Sequence, residues 1–249
     1  GKYLPELGAE LNEYTEKAYS RFDGDPAPLV KLNDGLFVLE LWHGPTHAFK
    51  DIALTLLPYL LTGSKKKLGE KERTLILVAT SGDTGKAALE GFRDVEGTDI
   101  IVFYPGDGVS KLQKLQMMTQ SGKNVYVAAI KGNFDDAQTA VKKIFTDKSV
   151  AEKLEEAGYR LSSANSINFG RLVPQIAYYF SSYLDMVNAG EINKGDKVNF
   201  CVPSGNFGNI LAGYYAKRMG LPVGKLICAS NKNNVLTDFI KGGTYSVKR

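Results

Sequence analysis

From about residue 36 the chain alternates short β-branched or aromatic runs with longer helical patterns, and this alternation restricts it to parallel βαβ units. The class expected is α/β, with open, mainly parallel twisted sheets flanked by helices. Strands are predicted at 36–41, 75–80, 100–104, 125–130, 198–202 and 226–229. Helices are predicted to begin near Lys50, Thr84, Ser110, Asp135, Asn168, Phe207 and Asn234. In such sheets ligands bind outside the carboxyl ends of the strands, where helix N-termini offer free N–H groups, so chemistry is to be sought at the strand-to-helix turns.

Two charged, apolar-poor stretches, 63–73 (GSKKKLGEKER) and 189–197 (AGEINKGDK), read as surface connections. If they are domain crossings, 66–193 forms a small domain while 36–65 and 194–249 come together as a large one, with a cleft between them and 1–35 as an N-terminal region. With 249 residues, 43% hydrophobic, there is apolar material for one large domain or two modest ones. The net charge of +4 is spread along the chain rather than gathered with aromatics, which argues against a nucleic-acid partner. No apolar run approaches the ~20 residues of a membrane span and no signal pattern opens the chain, so a cytoplasmic protein without a membrane partner is expected. Cys201 and Cys228 lie in short apolar stretches and read as buried thiols. The chain starts at Gly1 and ends in GGTYSVKR, which closes no element, and it is read as a piece of something longer.

Three turns and one loop carry the unusual residues. Pro203-Ser204-Gly205-Asn206-Phe207-Gly208-Asn209 follows a strand and opens a helix; its glycines let successive amides turn inward at a positive helix end, which makes a phosphate cradle. A plain turn using Gly and Asn for positive φ fits the same residues. The G-x-G-x-x-G spacing of a dinucleotide site is absent. Thr80-Ser81-Gly82-Asp83-Thr84-Gly85-Lys86 invites a P-loop reading, which fails because Thr80 stands where the first Gly belongs and Ala87 where Ser or Thr would bind magnesium. Its hydroxyls and amides suit a small carboxylate, or Ser81 or Thr84 caps the helix. Lys50, after Ala48 and Phe49, sits either in a desolvated site as a neutral nucleophile or base, or in solvent at a helix start. His43 and His47 lack a third ligand, and no metal is expected. Ser162 to Arg171 (SSANSINFGR) reads as a second anion site, with Arg171 bidentate to phosphate oxygens, or as an Asn/Ser-rich cap.

In this order, HGPTHAFKD at 43–51, ATSGDTG at 79–85, SANSINFGR at 163–171 and VPSGNFGN at 202–209 resemble the fold-type II pyridoxal phosphate enzymes, and among them the threonine synthases. The resemblance implies that Lys50 carries pyridoxal 5'-phosphate and serves as the base at the substrate's Cα, and that the amides of Gly205, Asn206, Phe207, Gly208 and Asn209 hold the cofactor phosphate. It implies that Ser81, Asp83 and Thr84 meet the substrate carboxylate or the cofactor's phenolic oxygen, and that Asn165, Ser166, Asn168 and Arg171 bind the leaving phosphate. The implied substrate is O-phospho-L-homoserine, converted with water to L-threonine and phosphate in threonine biosynthesis, by a monomer or a homodimer with its active site in the interdomain cleft. Family members extend well past this C-terminus and supply from there a hydroxyl that pairs with the pyridine nitrogen. The alternatives are another fold-type II lyase or dehydratase, and a catalytically silent threonine-synthase-like binding protein.

Overall fold

A computed structural model describes residues 7–80, 82–165 and 168–245. The elements run α1 (Leu11–Tyr19), β1 (Leu29–Asn33), β2 (Leu36–Leu39), α2 (Asp51–Leu54), α3 (Leu57–Leu68), β3 (Arg73–Ala79), α4 (Asp83–Phe92), β4 (Thr98–Pro105), α5 (Lys111–Met118) and β5 (Val125–Ile130). They continue with α6 (Phe134–Thr146), α7 (Lys148–Glu156), β6 (Tyr159–Ser163), α8 (Phe169–Asn188), β7 (Val198–Pro203), α9 (Gly208–Arg218), β8 (Val223–Ala229) and α10 (Val235–Gly242). The six expected strands and seven expected helices are all present, the helix expected from Lys50 is divided into α2 and α3, and β1, β6, α1 and α7 are additions.

The chain divides into two compact units, one of residues 1–30 and 38–174, the other of 31–37 and 175–249. Residues 38–65 thus group with the middle of the chain, whereas the connection-based division pairs 36–65 with 194–249.

In the first unit four parallel strands lie in the order β5-β4-β3-β6. Because side chains alternate along a strand, the sheet feeds two cores. Ile76, Val78, Ile100, Val102 and Tyr104 pack with Leu54, Leu57, Ala88, Leu89, Phe92 and Met117 from α2 to α5. Leu75, Leu77, Ala79, Ile101 and Phe103 pack with Ala137 and Val141 of α6. From β3 the chain winds outward through β4 to β5, then returns to lay β6 on the other side of β3. The order therefore reverses between β3 and β6, and the crevice past their carboxyl ends is where such sheets take ligands.

The stretch 63–73 is not a loop throughout, since α3 runs to Leu68 and ends at Gly69 in the left-handed conformation (φ +70°). Lys65, Lys66 and Lys67 occupy the last turn, where the helix dipole favours cations. Gly63 lies inside the helix because a Cβ there would collide with the Tyr14 ring of α1, so the glycine permits close packing rather than breaking the helix. The stretch 189–197 does lie outside helices and strands.

In the second unit β7 and β8 pair in parallel with α9 between them in the chain. Cys201 is exposed and Cys228 half-buried, both as free thiols, which corrects the expectation that they are buried. The reason lies in the sheet, whose strands bury alternate residues only, leaving Cys201, Ile227 and Ala229 open. No described helix is long and apolar enough to cross a membrane.

Candidate active site

Lys50 is the N-cap residue of α2, in a segment folded around its neighbour Asp51. Asp51 is 1% exposed, and its carboxylate accepts from the Thr46 amide (2.8 Å) and the Thr46 hydroxyl (2.6 Å). Burial pushes the Asp51 carboxyl up from its ordinary value, opposed by those two bonds. Gly44 makes the wrap possible, because a Cβ there would overlap the Asp51 side chain. His47 takes a positive φ of 55° in the same segment, a conformation that non-glycine residues hold only when their surroundings impose it.

The Lys50 side chain is 17% exposed, and its amine lies 3.8 Å from the Asp83 carboxylate of α4 and 5.5 Å from the Phe49 ring centroid. Burial is the main influence on it and pushes its pKa below the ordinary 10.5; Asp83 opposes, while Arg171 and Lys86 add to the depression. Asp83 is itself held, accepting from Gln113 Nε2 of α5 at 2.7 Å and lying 3.8 Å from the Lys86 amine. Lys86, 8% exposed, donates to the Thr46 carbonyl at 2.8 Å. Asp83 thus stands among donors and cations, an arrangement suited to balancing Lys50.

The helix start at 82–85 is capped from upstream. The Thr80 hydroxyl accepts from the amides of Gly82 (3.1 Å) and Gly85 (3.0 Å), so the capping expected of Ser81 or Thr84 is supplied by the residue that ruled out a P-loop. Thr84 is buried, at 7% exposed, and Ser81 lies outside the described residues.

Across the switch point, Asn165 Nδ2 donates to the Ala79 carbonyl at the end of β3 (3.3 Å), tying the β6 turn to the β3 turn. Asn168 donates to the Ser163 carbonyl (2.7 Å) and accepts from the Gly170 amide (2.9 Å), the work of a helix cap. Arg171 is 4% exposed and donates to the Ala164 carbonyl at 2.8 Å. Burial pushes its pKa down to about 10, which leaves it a cation at neutral pH. Ser166 lies outside the described residues.

The second unit holds the glycine-rich turn. Gly205 has φ +43° and Phe207, the N-cap of α9, φ +66°. Of the three non-glycine residues with positive φ among those described, two, His47 and Phe207, fall in the conspicuous motifs. The Phe207 amide turns back to the Ser204 carbonyl at 2.8 Å, whereas those of Gly205, Asn206, Gly208 and Asn209 take no protein acceptor among the described residues. That is the condition of an anion-binding helix start. The Asn209 side chain is anchored by the hydroxyls of Tyr178 (2.5 Å) and Tyr179 (2.8 Å), both of which burial holds well above the ordinary tyrosine range, so they remain donors.

Sequence reasoning missed Thr46, Asp51, Lys86, Gln113, Tyr178 and Tyr179. Thr46, Asp51 and Lys86 stood inside the motifs without a role, while Gln113 and the tyrosines belong to ordinary helical patterns and carry no local signal.

A buried lysine with a lowered pKa in the first unit, and a helix start with open amides in the second, are each the kind of feature that a phosphorylated carbonyl cofactor held on a lysine requires. The chain belongs to the pyridoxal-phosphate dependent enzyme family, whose model matches residues 22–249. Human threonine synthase-like 1 is 46% identical over 96% of this chain and 33% of its own length. Threonine synthase of Schizosaccharomyces pombe is 43% identical over 98% of this chain and 48% of its own. The structure of pyridoxal-phosphate-bound threonine synthase from Brucella melitensis superposes with a TM-score of 0.84 at 41% identity, covering 97% of this chain and 50% of that one. The chain therefore spans a third to a half of the length of these relatives. Its residues fit the family's cofactor on two counts: Lys50 has a depressed pKa, and the α9 start offers amides to a phosphate.

Proposed function

We propose that this chain carries the lysine and anion-binding turns of a threonine synthase, acting on O-phospho-L-homoserine and water to give L-threonine and phosphate. The observation that carries the reading is Lys50 itself, a lysine with its side chain 17% exposed and its pKa depressed, set beside Asp83 at the sheet's switch point. The likeness to threonine synthases over almost the whole chain supports the choice of reaction.

Each residue has a part that its surroundings suit. Lys50 would hold the cofactor through its Nζ, and the lowered pKa of that amine suits it to accept the proton from the substrate's Cα. Asp83 balances the charge that Lys50 then gains, and Gln113 fixes the carboxylate's orientation. Because its neighbours are cations and donors, Asp83 belongs with Lys50 rather than with the substrate's carboxylate. The amides of Gly205, Asn206, Gly208 and Asn209 take the cofactor phosphate, with Phe207 shaping the turn. Arg171, with Asn165 and Asn168 in the loop ahead of it, supplies the cationic pole for the leaving phosphate. Pyridoxal phosphate, when bound, supplies an electron sink for the charge left at Cα. The group pairing with its pyridine nitrogen is assigned to the part of the relatives' length that this chain does not span.

Adding pyridoxal phosphate, reducing with borohydride and mapping the mass increment tests the site: the label is expected on the peptide containing Lys50. Label elsewhere, or none, overturns the assignment. Phosphate release from O-phospho-L-homoserine, with serine and threonine as competing substrates, then separates the synthase from a dehydratase. Binding of the phosphorylated substrate without turnover would instead mark a silent binding protein.

A further inference from the structure

Two lysines share one carboxylate in the first unit, and the proposed reaction uses only one of them. Lys50 and Lys86 approach Asp83 from its two oxygens, each at 3.8 Å, Lys50 on Oδ2 and Lys86 on Oδ1. A buried lysine is rare unless its charge is matched, and a surface role does not explain Lys86, which is 8% exposed. Its amine donates to the Thr46 carbonyl at 2.8 Å, and Thr46 in turn holds both oxygens of Asp51 through its amide and hydroxyl. Asp51 is the residue bonded to Lys50. The contacts therefore close a ring from Lys50 through Asp83, Lys86, Thr46 and Asp51 back to the Lys50 backbone.

We propose that Lys86 is a positioning residue: it shares the Asp83 carboxylate and anchors the Thr46 carbonyl, so that Asp83 does not pair with Lys50 alone. The physical need is plain. A carboxylate with a single cationic partner holds that partner in its charged form, which is useless as a nucleophile, whereas a second ammonium satisfies the carboxylate and repels charge on the first. The two lysines differ in their other partners, for Lys86 donates a hydrogen bond to a carbonyl and Lys50 has the face of Phe49 at 5.5 Å. The charged groups facing Lys50 are Asp83 and Lys86 from α4, Arg171 from α8 and Asp51 from α2. Of these, Arg171 and Lys86 are the cations.

The inference rests on Lys50 being the reactive amine, and its test keeps the two ideas apart. The readout is the pH at which Lys50 becomes reactive, measured by competitive acylation with acetic anhydride on the full chain without cofactor and quantified on the Lys50 peptide. Lys86→Met, which keeps the apolar stem and removes the charge, is expected to move the half-point of Lys50 labelling to higher pH, with about 3- to 10-fold less label at neutral pH. Lys86→Arg, which restores the charge, is expected to bring the half-point back toward the wild type. A Lys86→Met half-point that is unchanged or lower, even with a lowered melting temperature, overturns the proposal and leaves Lys86 a packing residue. Should Lys86→Met fail to fold, the double variant Asp83→Asn with Lys86→Met removes one charge of each sign and strips no carboxylate of its partner. Compared with Asp83→Asn alone it is expected to raise the half-point, and equality between the two overturns the proposal. Borohydride trapping of pyridoxal phosphate on Lys50 separates the premises: trapping with a Lys86-independent half-point sinks the inference alone, and a shifted half-point without trapping sinks the assignment of Lys50 to the cofactor.

Discussion

The two sheets differ in how completely they are clothed. In the first unit β3 and β4 bury both faces, one against α2 to α5 and the other against α6, and the lysine network sits at the ends of strands that are central and packed. In the second unit β7 and β8 bury alternate residues only, and Cys201 and Ile227 stand exposed on the open side. The difference teaches that the reactive side chain and the anion-binding turn have different supports. Lys50 depends on desolvation and on neighbours drawn from several elements, which a thick core supplies. The turn at 204–209 depends on local backbone conformation and on two tyrosines gripping Asn209, which a thin sheet can hold.

That contrast can be broken by substitution, beginning where the effect is largest. Phe92→Ala, at the fully buried last residue of α4, is expected to destabilise by about 3–5 kcal/mol, read from the urea midpoint. A loss under about 1 kcal/mol would show that the first unit is not tightly packed. Asp51→Asn replaces one of two acceptors for Thr46 by a donor and is expected to cost roughly 1–3 kcal/mol, with slower attachment of pyridoxal phosphate to Lys50 as the segment loosens. Unaltered stability and attachment would remove Asp51 from the network.

A smaller effect lies in the pH dependence. Lys50 binds its proton less tightly folded than unfolded, so between its depressed value and the ordinary 10.5 the unfolded chain carries more protons and stability rises with pH. Lys50→Met removes this contribution, and the wild type is expected to gain on the variant as pH rises through that window, measured by paired urea titrations. Parallel curves would mean that Lys50 is solvated. Smallest of all, Ile227→Ser on the open face of β8 is expected to change stability within about 0.5 kcal/mol. A large loss there would show that the face is covered.

Much of the fold was legible because it is written in local periods. The run 125–130 emerges as β5 with the bounds expected, and the other five expected strands differ from the observed ones by up to three residues at an end. The pairing of β1 with β2 has a local signal as well, since Asp34-Gly35, with Gly35 at φ +78°, is a turn pair that sequence can announce. The helical part of 63–73 carries no local helix signal at its glycine, which answers to Tyr14 approaching from another helix. Of the site, the order of the four motifs pointed to Lys50 and the α9 turn, while the use of Asn168 as a cap and of Asp83 as a shared counter-ion was not readable, since their partners are set by folding.

By itself the sequence determined the parallel α/β class, the glycine-opened turn before α9 and the family to which Lys50 belongs, because period, turn chemistry and motif order are properties of neighbours along the chain. Only the tertiary structure decided that the Lys50 amine holds its proton less tightly than a solvated lysine. Its local residues are equally those of a solvated helix start, and the difference comes from burial together with Asp83, Lys86 and Arg171, which β3 and β6 bring to it by lying side by side. Charge and desolvation act through space, and no local pattern records them.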